Sequence, residues 1–314
     1  MSNTESSSSV YCVMVTFNPC FERLSEVLSR VMDQVSKCII VDNGSVCQDR
    51  LRVVLRPLTD SGRAVLIQNG KNLGLGAALN QGIRSAFSNP PAHLLLLDQD
   101  TILNPGYVSR LLSALESNQV GEKIGIIHGV PDSDDFALPF SLFPLKILGG
   151  IGKVMSRKKI SGDISEVLST FISGSLIEPI ILKSVRFREE FFVDEVDTDF
   201  CYEVRKRGYR ILVCESALMS HRGGKLVNLH GKQFLYEPSS RFYLIVRNST
   251  MLLREGRRTW PSYIYNLVMH FTLLMTVEGP RSAVKSFFLG LRDGIQTNPL
   301  STSTFHVGHR ASLG

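Results

Sequence analysis

Asp98 and Asp100 stand one residue apart at the end of a run of four leucines, Leu94 to Leu97. Two carboxylates so placed can hold a hard divalent cation that also touches a phosphorylated substrate. The leucine run is too short to cross a membrane and reads as a strand buried on both faces, as in a parallel sheet. Ligands in open α/β sheets sit just beyond the carboxyl ends of the strands, which is where Asp98-Gln99-Asp100 emerges. A polar loop closing a core strand would use the same residue types, so the weight of this tripeptide depends on its company.

Three more polar clusters fall at the ends of apolar runs: Thr16-Phe17-Asn18, Asp42-Asn43 and His221. Singly, each has a commoner explanation, since Asp42-Asn43-Gly44 is a turn signal and a lone histidine is usually structural. Gathered on one sheet edge, they suit a nucleoside diphosphate, with Thr16, Asn18 and Asn72 lining its site. Asp42 can accept from a pyrimidine N–H, and a metal at Asp100 can neutralise the diphosphate. The stretch from Lys71 to Gly82 adds side-chain amides and three glycines, Gly74, Gly76 and Gly82, that permit close backbone approach. No GxGxxG follows the first strand, which argues against a dinucleotide cofactor. A second acidic group, Asp194, Glu195, Asp197 and Asp199, brings carboxylates close enough to separate their pKa values, which suits one of them to act as a base. Its plain alternative is a solvated helix N-terminus, where acids are favoured.

The elements that must carry these residues alternate in type. VYCVMVTF (10–17) is a strand stopped by Asn18-Pro19, and Leu24, Val27, Leu28 and Val31 follow at helical spacing. CIIVDNGS (38–45), AVLIQN (64–69), GIIHGV (125–130), FISGSLIE (171–178) and YRILVCES (209–216) read as further strands. Leu75, Leu79 and Ile83 stripe a helix before the central LLLLDQD, and another helix runs through CYEVRKRG. This alternation predicts an α/β fold with a parallel sheet wound by right-handed crossovers. Residues 131–165, rich in Pro, Gly and Asp with a basic SRKK run, read as a long loop over the active site. Beyond HRGG (221–224), residues 241–254 and 260–292 read as helices.

The chain has 314 residues, 43% hydrophobic and 20% charged, enough for one large domain or a domain with an appendage. MSNTESSSS lacks a basic start and an apolar segment, and reads as a flexible tail rather than a signal peptide. Six cysteines without CxxC or zinc spacing read as reduced cytosolic thiols. The net charge of +6 resides from Leu226 onward, where ten Lys and Arg face four Asp and Glu. Such a region favours anionic lipid, phosphate or nucleic acid. It shows no aromatic-basic interleaving of an RNA-binding type, so no nucleic-acid partner is expected. From Trp260 to Val277 no Asp, Glu, Lys or Arg occurs, a length at the short limit for a membrane span. Pro261, Asn266 and His270 within it favour packing on the main domain or lying in a membrane interface.

In order, TFNP, VDNGS, KNLGLGAALNQGI, LLLLDQD, FISGSLI, FFVDEVDTDFCYEVRKRGYRI, SHRGG and RFYLIVRN resemble glycosyltransferase family 2. The closer resemblance is to its bacterial rhamnosyltransferases of the surface-polysaccharide and rhamnolipid type, over most of residues 10–254. It implies a GT-A domain, Rossmann-like with a mostly parallel sheet flanked by helices, at residues 10–225. Residues 1–9 would be a tail and 226–314 a mainly helical, membrane-suited extension. It also implies inverting transfer of L-rhamnose from dTDP-L-rhamnose to a hydroxyl of a lipid-linked or glycolipid acceptor. The setting would be O-antigen-type polysaccharide synthesis at the cytoplasmic face of the inner membrane. Another nucleotide sugar, such as a UDP-sugar, or an inactive scaffold relative is the alternative. A sugar-1-phosphate nucleotidyltransferase would need a glycine-rich basic loop where this chain has TFNPCFERL.

On this resemblance Asp42 contacts the base and Asp98 the ribose or diphosphate, while Asp100 and His221 bind Mg²⁺ or Mn²⁺. Ser173 and Gly174 lie near the acceptor, and Arg247 reaches the diphosphate. Aligning on Gly208-Tyr209-Arg210-Ile211 places the general base on Asp197, with Asp199 beside it. The position where the family's motif carries an arginine is Glu203 here.

Overall fold

A computed structural model describes residues 9–118, 123–132, 158–221, 225–229 and 232–297. Its centre is β4 (His93–Asp98), whose four leucines are fully covered. Leu95 and Leu97 join the core on one face and Leu94 and Leu96 the core on the other, the arrangement an unbroken apolar strand requires. β1 (Val10–Thr16), β2 (Lys37–Asp42) and β3 (Ala64–Gln68) extend the sheet in the order β3-β2-β1-β4, all parallel. The crossover helices are α1 (Phe21–Met32), α2 (Gln48–Asp60) and α3 (Leu75–Ala86). Leu24 of α1 and Leu51 of α2 cover the first face, and Leu79 and Ile83 of α3 the second. Gly82 lets α3 settle onto β1, since a Cβ there would collide with Val13. Its smallness serves helix–sheet packing, not a ligand.

The second half makes the sheet mixed. β5 (Thr101–Leu103), α4 (Tyr107–Asn118), β6 (Ile124–Pro131), β7 (Lys158–Ser161), β8 (Ile164–Val167) and β9 (Ser175–Ile177) follow in sequence. Then come α5 (Pro179–Ser184), α6 (Val196–Lys206) and β10 (Arg210–His221). Past β4 the order runs β9-β6-β10-β8-β7. β9 is antiparallel to both β4 and β6, β8 is antiparallel to β10, and among the described strands past β4 only β6 and β10 pair in parallel. The long loop expected over 131–165 gives way at its end to the β7–β8 hairpin, whose short polar strands carry no alternation to read. Its middle, 133–157, lies outside the described residues, as does the tail at 1–8. The expected strand at 171–178 shortens to three residues because Gly174 holds φ +91°.

The C-terminal part opens with a hairpin ahead of the expected helices, β11 (Lys225–Leu229) against β12 (Lys232–Tyr236). α7 (Ser239–Arg254), α8 (Trp260–Val277) and α9 (Pro280–Gln296) follow. Ala283, Ser286, Gly290 and Gly294 give α9 a small-residue face that lies close against α7. A Cβ at Gly290 would come 2.6 Å from the Tyr243 carbonyl oxygen. These helices share a core of Phe242, Val246, Tyr263, Leu267 and Leu274. Met251 and Leu252 of α7 belong instead to the core under the main sheet, so the extension is built into the α/β part. Among the described residues, no helix is long and apolar enough to cross a membrane. The six cysteines are unpaired.

Candidate active site

Strand register assembles the site. β1 and β4 pair Val15 with Asp98, and the antiparallel match of β5 with β10 sets Thr101 opposite His221. Asp98, Asp100 and His221 thereby converge, each offering one ligand-type atom within 4.8 Å of the others. Oδ1 of Asp100 is buried without a hydrogen-bond partner and lies 3.6 Å from Nδ1 of His221. An orphaned carboxylate oxygen beside a second carboxylate and an imidazole fits Mg²⁺ or Mn²⁺.

The support behind this cluster comes from residues that sequence reasoning missed or misassigned. The Thr101 hydroxyl is 2.7 Å from His221 Nδ1 and 2.7 Å from the Ser173 hydroxyl, which in turn accepts the Asp98 N–H at 2.9 Å. A hydrogen bond to one ring nitrogen fixes the orientation of a ligand histidine. Arg23 of α1 donates to the carbonyls of Asp100 (3.1 Å) and Ser220 (3.3 Å), tying the β4 and β10 tips together. Gln99 closes the β1 tip through both backbone groups of Phe17, at 2.8 and 3.1 Å.

Ser173 therefore braces the acidic cluster, where an acceptor contact was expected. Gly174 is a packing glycine: a Cβ on it would lie 2.6 Å from Met219 Sδ and 2.7 Å from Tyr107 Oη. Asp42 is fully buried, and its oxygens are taken by the Thr16 hydroxyl (3.1 Å), the Ser45 hydroxyl (2.5 Å) and the Ser45 N–H (3.2 Å). In this arrangement it holds the β1 and β2 tips together and faces no open space for a base. Asn18, at φ 46°, accepts from the Val46 N–H and donates its own N–H to Ser45, so it shapes the same rim. The Asn72 side-chain oxygen accepts from Asn43 and from the Gly74 N–H, forming the turn that starts α3. A Cβ at Gly74 would come 2.8 Å from the Phe192 backbone. The glycines of this stretch thus admit protein neighbours.

The second acidic group sits on a strained loop. After a 3₁₀ turn at Glu189–Phe191, Phe192, Asp194 and Glu195 each hold φ 63°, a region costly for residues with a Cβ. α7 holds this loop. The Asn248 side-chain NH₂ donates to the carbonyls of Phe191 (3.0 Å), Val193 (2.9 Å) and Asp194 (2.9 Å). Arg241 forks onto the Asp194 carboxylate at 2.5 and 3.2 Å. Glu195 accepts from Ser249 (2.8 Å), from Arg258 (2.7 Å) and from Asn266 of α8 (3.0 Å). Arg247, expected at the diphosphate, instead donates to the Glu190 and Phe191 carbonyls and to Asn248.

This clamp presents Asp197 in the first turn of α6. Burial, then the nearby charge of Asp98, push the Asp197 carboxyl up to about 7. Asp98 is raised to about 6 by burial, opposed by His221 and reinforced by Asp100. A carboxylate titrating near neutrality beside a cluster suited to a cation is equipped to take a proton. Asp199, expected to share that task, is committed elsewhere. It pairs with Arg257 at 2.7 Å and Arg188 at 3.5 Å, with its side chain 5% exposed. Arg257 also meets Glu203 at 2.8 Å and Glu255 at 2.9 Å. A positive partner for Glu203 thus arrives from the turn after α7.

Comparison with known proteins bears on the family and the fold. Residues 11–166 match the family described as glycosyl transferase family 2. Over 297 residues the chain is 25% identical to the dTDP-rhamnosyl transferase RfbF of Shigella flexneri, covering 92% of this chain and 96% of that protein. The mannosyltransferase PcManGT of Pyrobaculum calidifontis, solved with GDP-Man and Mn²⁺, is similar with a TM-score of 0.56 and 13% identity, over 88% of this chain and 73% of that one. GalNAc-T7, solved with UDP, GalNAc and Mn²⁺, is similar with a TM-score of 0.54 and 15% identity, over 77% of this chain. The chain spans 48% of that protein's length. At such identities the structural likeness establishes the GT-A fold.

Proposed function

Taking as its premise that this chain belongs to glycosyl transferase family 2, we propose that it transfers L-rhamnose from dTDP-L-rhamnose, with inversion, to a hydroxyl of a lipid-linked or glycolipid acceptor. The observation that carries the transfer chemistry is Asp197, a carboxyl raised to about 7 next to Asp98 of the acidic cluster. The donor choice rests on similarity to the S. flexneri rhamnosyl transferase. Asp197 takes the acceptor hydroxyl proton as that oxygen attacks the anomeric carbon. The bond from that carbon to the diphosphate oxygen breaks on the opposite face, so one displacement inverts the centre and needs no sugar–enzyme intermediate. Asp98, Asp100 and His221 would hold Mg²⁺ or Mn²⁺, and such an ion supplies positive charge for the leaving diphosphate. Thr101, Ser173 and Arg23 keep that cluster in place, and Asn248 keeps the base in place. An acceptor built on lipid would put the reaction at the cytoplasmic face of the inner membrane.

Calorimetric titration with dTDP, UDP and GDP, each with and without Mn²⁺, tests the reading. Mn²⁺-dependent preference for dTDP is expected, followed by transfer from dTDP-L-rhamnose. Preference for UDP would keep the transferase and replace the sugar. Binding of none of the three would overturn the proposal.

A further inference from the structure

α8 has two unlike faces. Inward, Leu267 and Leu274 are buried, and Asn266 donates to Glu195 of the strained acidic loop. Outward, Trp260, Ile264, Val268 and Met275 are exposed at 65, 53, 58 and 37%. Their spacing puts them within one face of the helix. α9 repeats the theme, with Val284, Phe288 and Ile295 exposed at 42, 63 and 53%. On α9 three exposed cations, Arg281, Lys285 and Arg292, keep the same i, i+4, i+11 spacing. They form a basic stripe about a sixth of a turn from the apolar one. Apolar side chains bordered by cations, with a tryptophan and the half-exposed Tyr265 among them, fit the boundary between lipid headgroups and acyl chains. Single exposed apolar residues need no explanation, but stripes on two adjacent helices form a patch that does.

We propose that the outer faces of α8 and α9 are a docking surface for an anionic lipid bilayer, on which the protein lies without crossing it. A second copy of the chain is the poorer occupant, because a two-fold contact through this patch would bring its basic borders together. Arg292 also pairs with Asp293 at 2.7 Å, but a neutral surface would offer Arg281 and Lys285 no counter-charge, whereas anionic headgroups neutralise them. The inference deepens the function proposed above, and rests on it for its purpose. α8 is about 10 Å thick and touches Glu195 on its inner side. A lipid-anchored acceptor held on its outer side is therefore one helix away from the loop that carries the base.

Trp260 is the chain's single tryptophan, so its fluorescence reports on this patch alone. Full-length protein is mixed with vesicles of phosphatidylglycerol and phosphatidylethanolamine, and separately with phosphatidylcholine vesicles. The expected result is co-sedimentation and a blue shift of Trp260 emission with the anionic vesicles, fading as salt is raised. Ile264→Asp combined with Phe288→Asp should weaken that partition at least tenfold while dTDP binding stays unchanged. Emission indifferent to anionic vesicles overturns the proposal. So does a double variant that binds vesicles like the parent, or a dimer in solution that the variant dissolves. Vesicle binding without nucleotide binding would keep the surface and remove the transferase, and the converse result would remove only the surface.

Discussion

The side-chain nitrogen of Asn248 lies 2.9 Å from the carbonyl oxygen of Asp194, a residue 54 positions earlier in the chain. The same group serves two more carbonyls of a loop in which three residues hold φ 63°. Removing it by Asn248→Ala takes this donor from the part-buried Val193 and Asp194 carbonyls, while Phe191 keeps Arg247, and frees a strained segment to relax. Stability should fall by about 2–3 kcal/mol in denaturant unfolding. Turnover should fall more than donor affinity, because the loop sets the posture of Asp197. Equal losses in both would assign the loop to the donor pocket.

Asp197 should govern the pH dependence. Its ionised form is the base, so the rate should climb with pH, level off above neutrality and show a midpoint near 7. Asp197→Asn should cost about 10²–10⁴ in turnover and leave calorimetric dTDP affinity within about twofold.

The same group makes a prediction about stability. Its folded-state pKa of about 7 is raised from an ordinary 3.8, so the stability linked to it is complete below about 4 and lost as pH rises through 7. At pH 8, in chelator, the buried anion costs the fold on the order of a few kcal/mol. Asp197→Asn should then melt above the parent at pH 8, and the gap should close toward pH 4. A gap independent of pH would mean that Asp197 is solvated.

Asp100→Ala should abolish the gain in nucleotide affinity that Mn²⁺ confers. Thr101→Val is the sharper test, because it keeps Asp98, Asp100 and His221 and removes only the hydroxyl 2.7 Å from the imidazole. Mn²⁺ affinity, read by electron paramagnetic resonance, should drop about 10–100-fold. Parental affinity would make Thr101 a packing residue.

Asp199 and Asp197 should separate cleanly. Asp199→Asn should leave the pH midpoint where it is, since Asp199 is neutralised by Arg257 and Arg188. Arg257→Met removes the cation that Asp199, Glu203 and Glu255 share, leaves Arg188 to Asp199 and Glu255 and Arg207 to Glu203, and should cost about 1.5–3 kcal/mol. A shifted midpoint in Asp199→Asn would return that residue to the proton-transfer step.

The sheet was legible because Leu94 to Leu97 and the β-branched runs of β1 and β2 encode their burial locally. The tips of those strands could be foreseen for the same reason. β9 and the β7–β8 hairpin were not, since three or four residues held by their neighbours carry no period of their own. Asp98, Asp100 and His221 were found as separate strand ends, and the β5–β10 register that unites them is a long-range pairing. Asn248 and Arg241 stood in view within RFYLIVRN, yet their partners lie about fifty residues away, beyond any local pattern. Glycines misled in the opposite direction: Gly74, Gly82 and Gly174 mark close approach, and what approaches is the protein itself.

The base at Asp197 precedes residue 225, while the side chains that hold its loop, from Arg241 to Asn266, follow it. Cutting the chain there would separate a reactive group from its posture. Recombination at that boundary would not deliver a new acceptor preference to an unchanged catalyst, because the incoming half would also reset the base. With Asp197 as the proposed base and the outer faces of α8 and α9 as the proposed acceptor side, choice of acceptor and speed of transfer would be inherited as one trait.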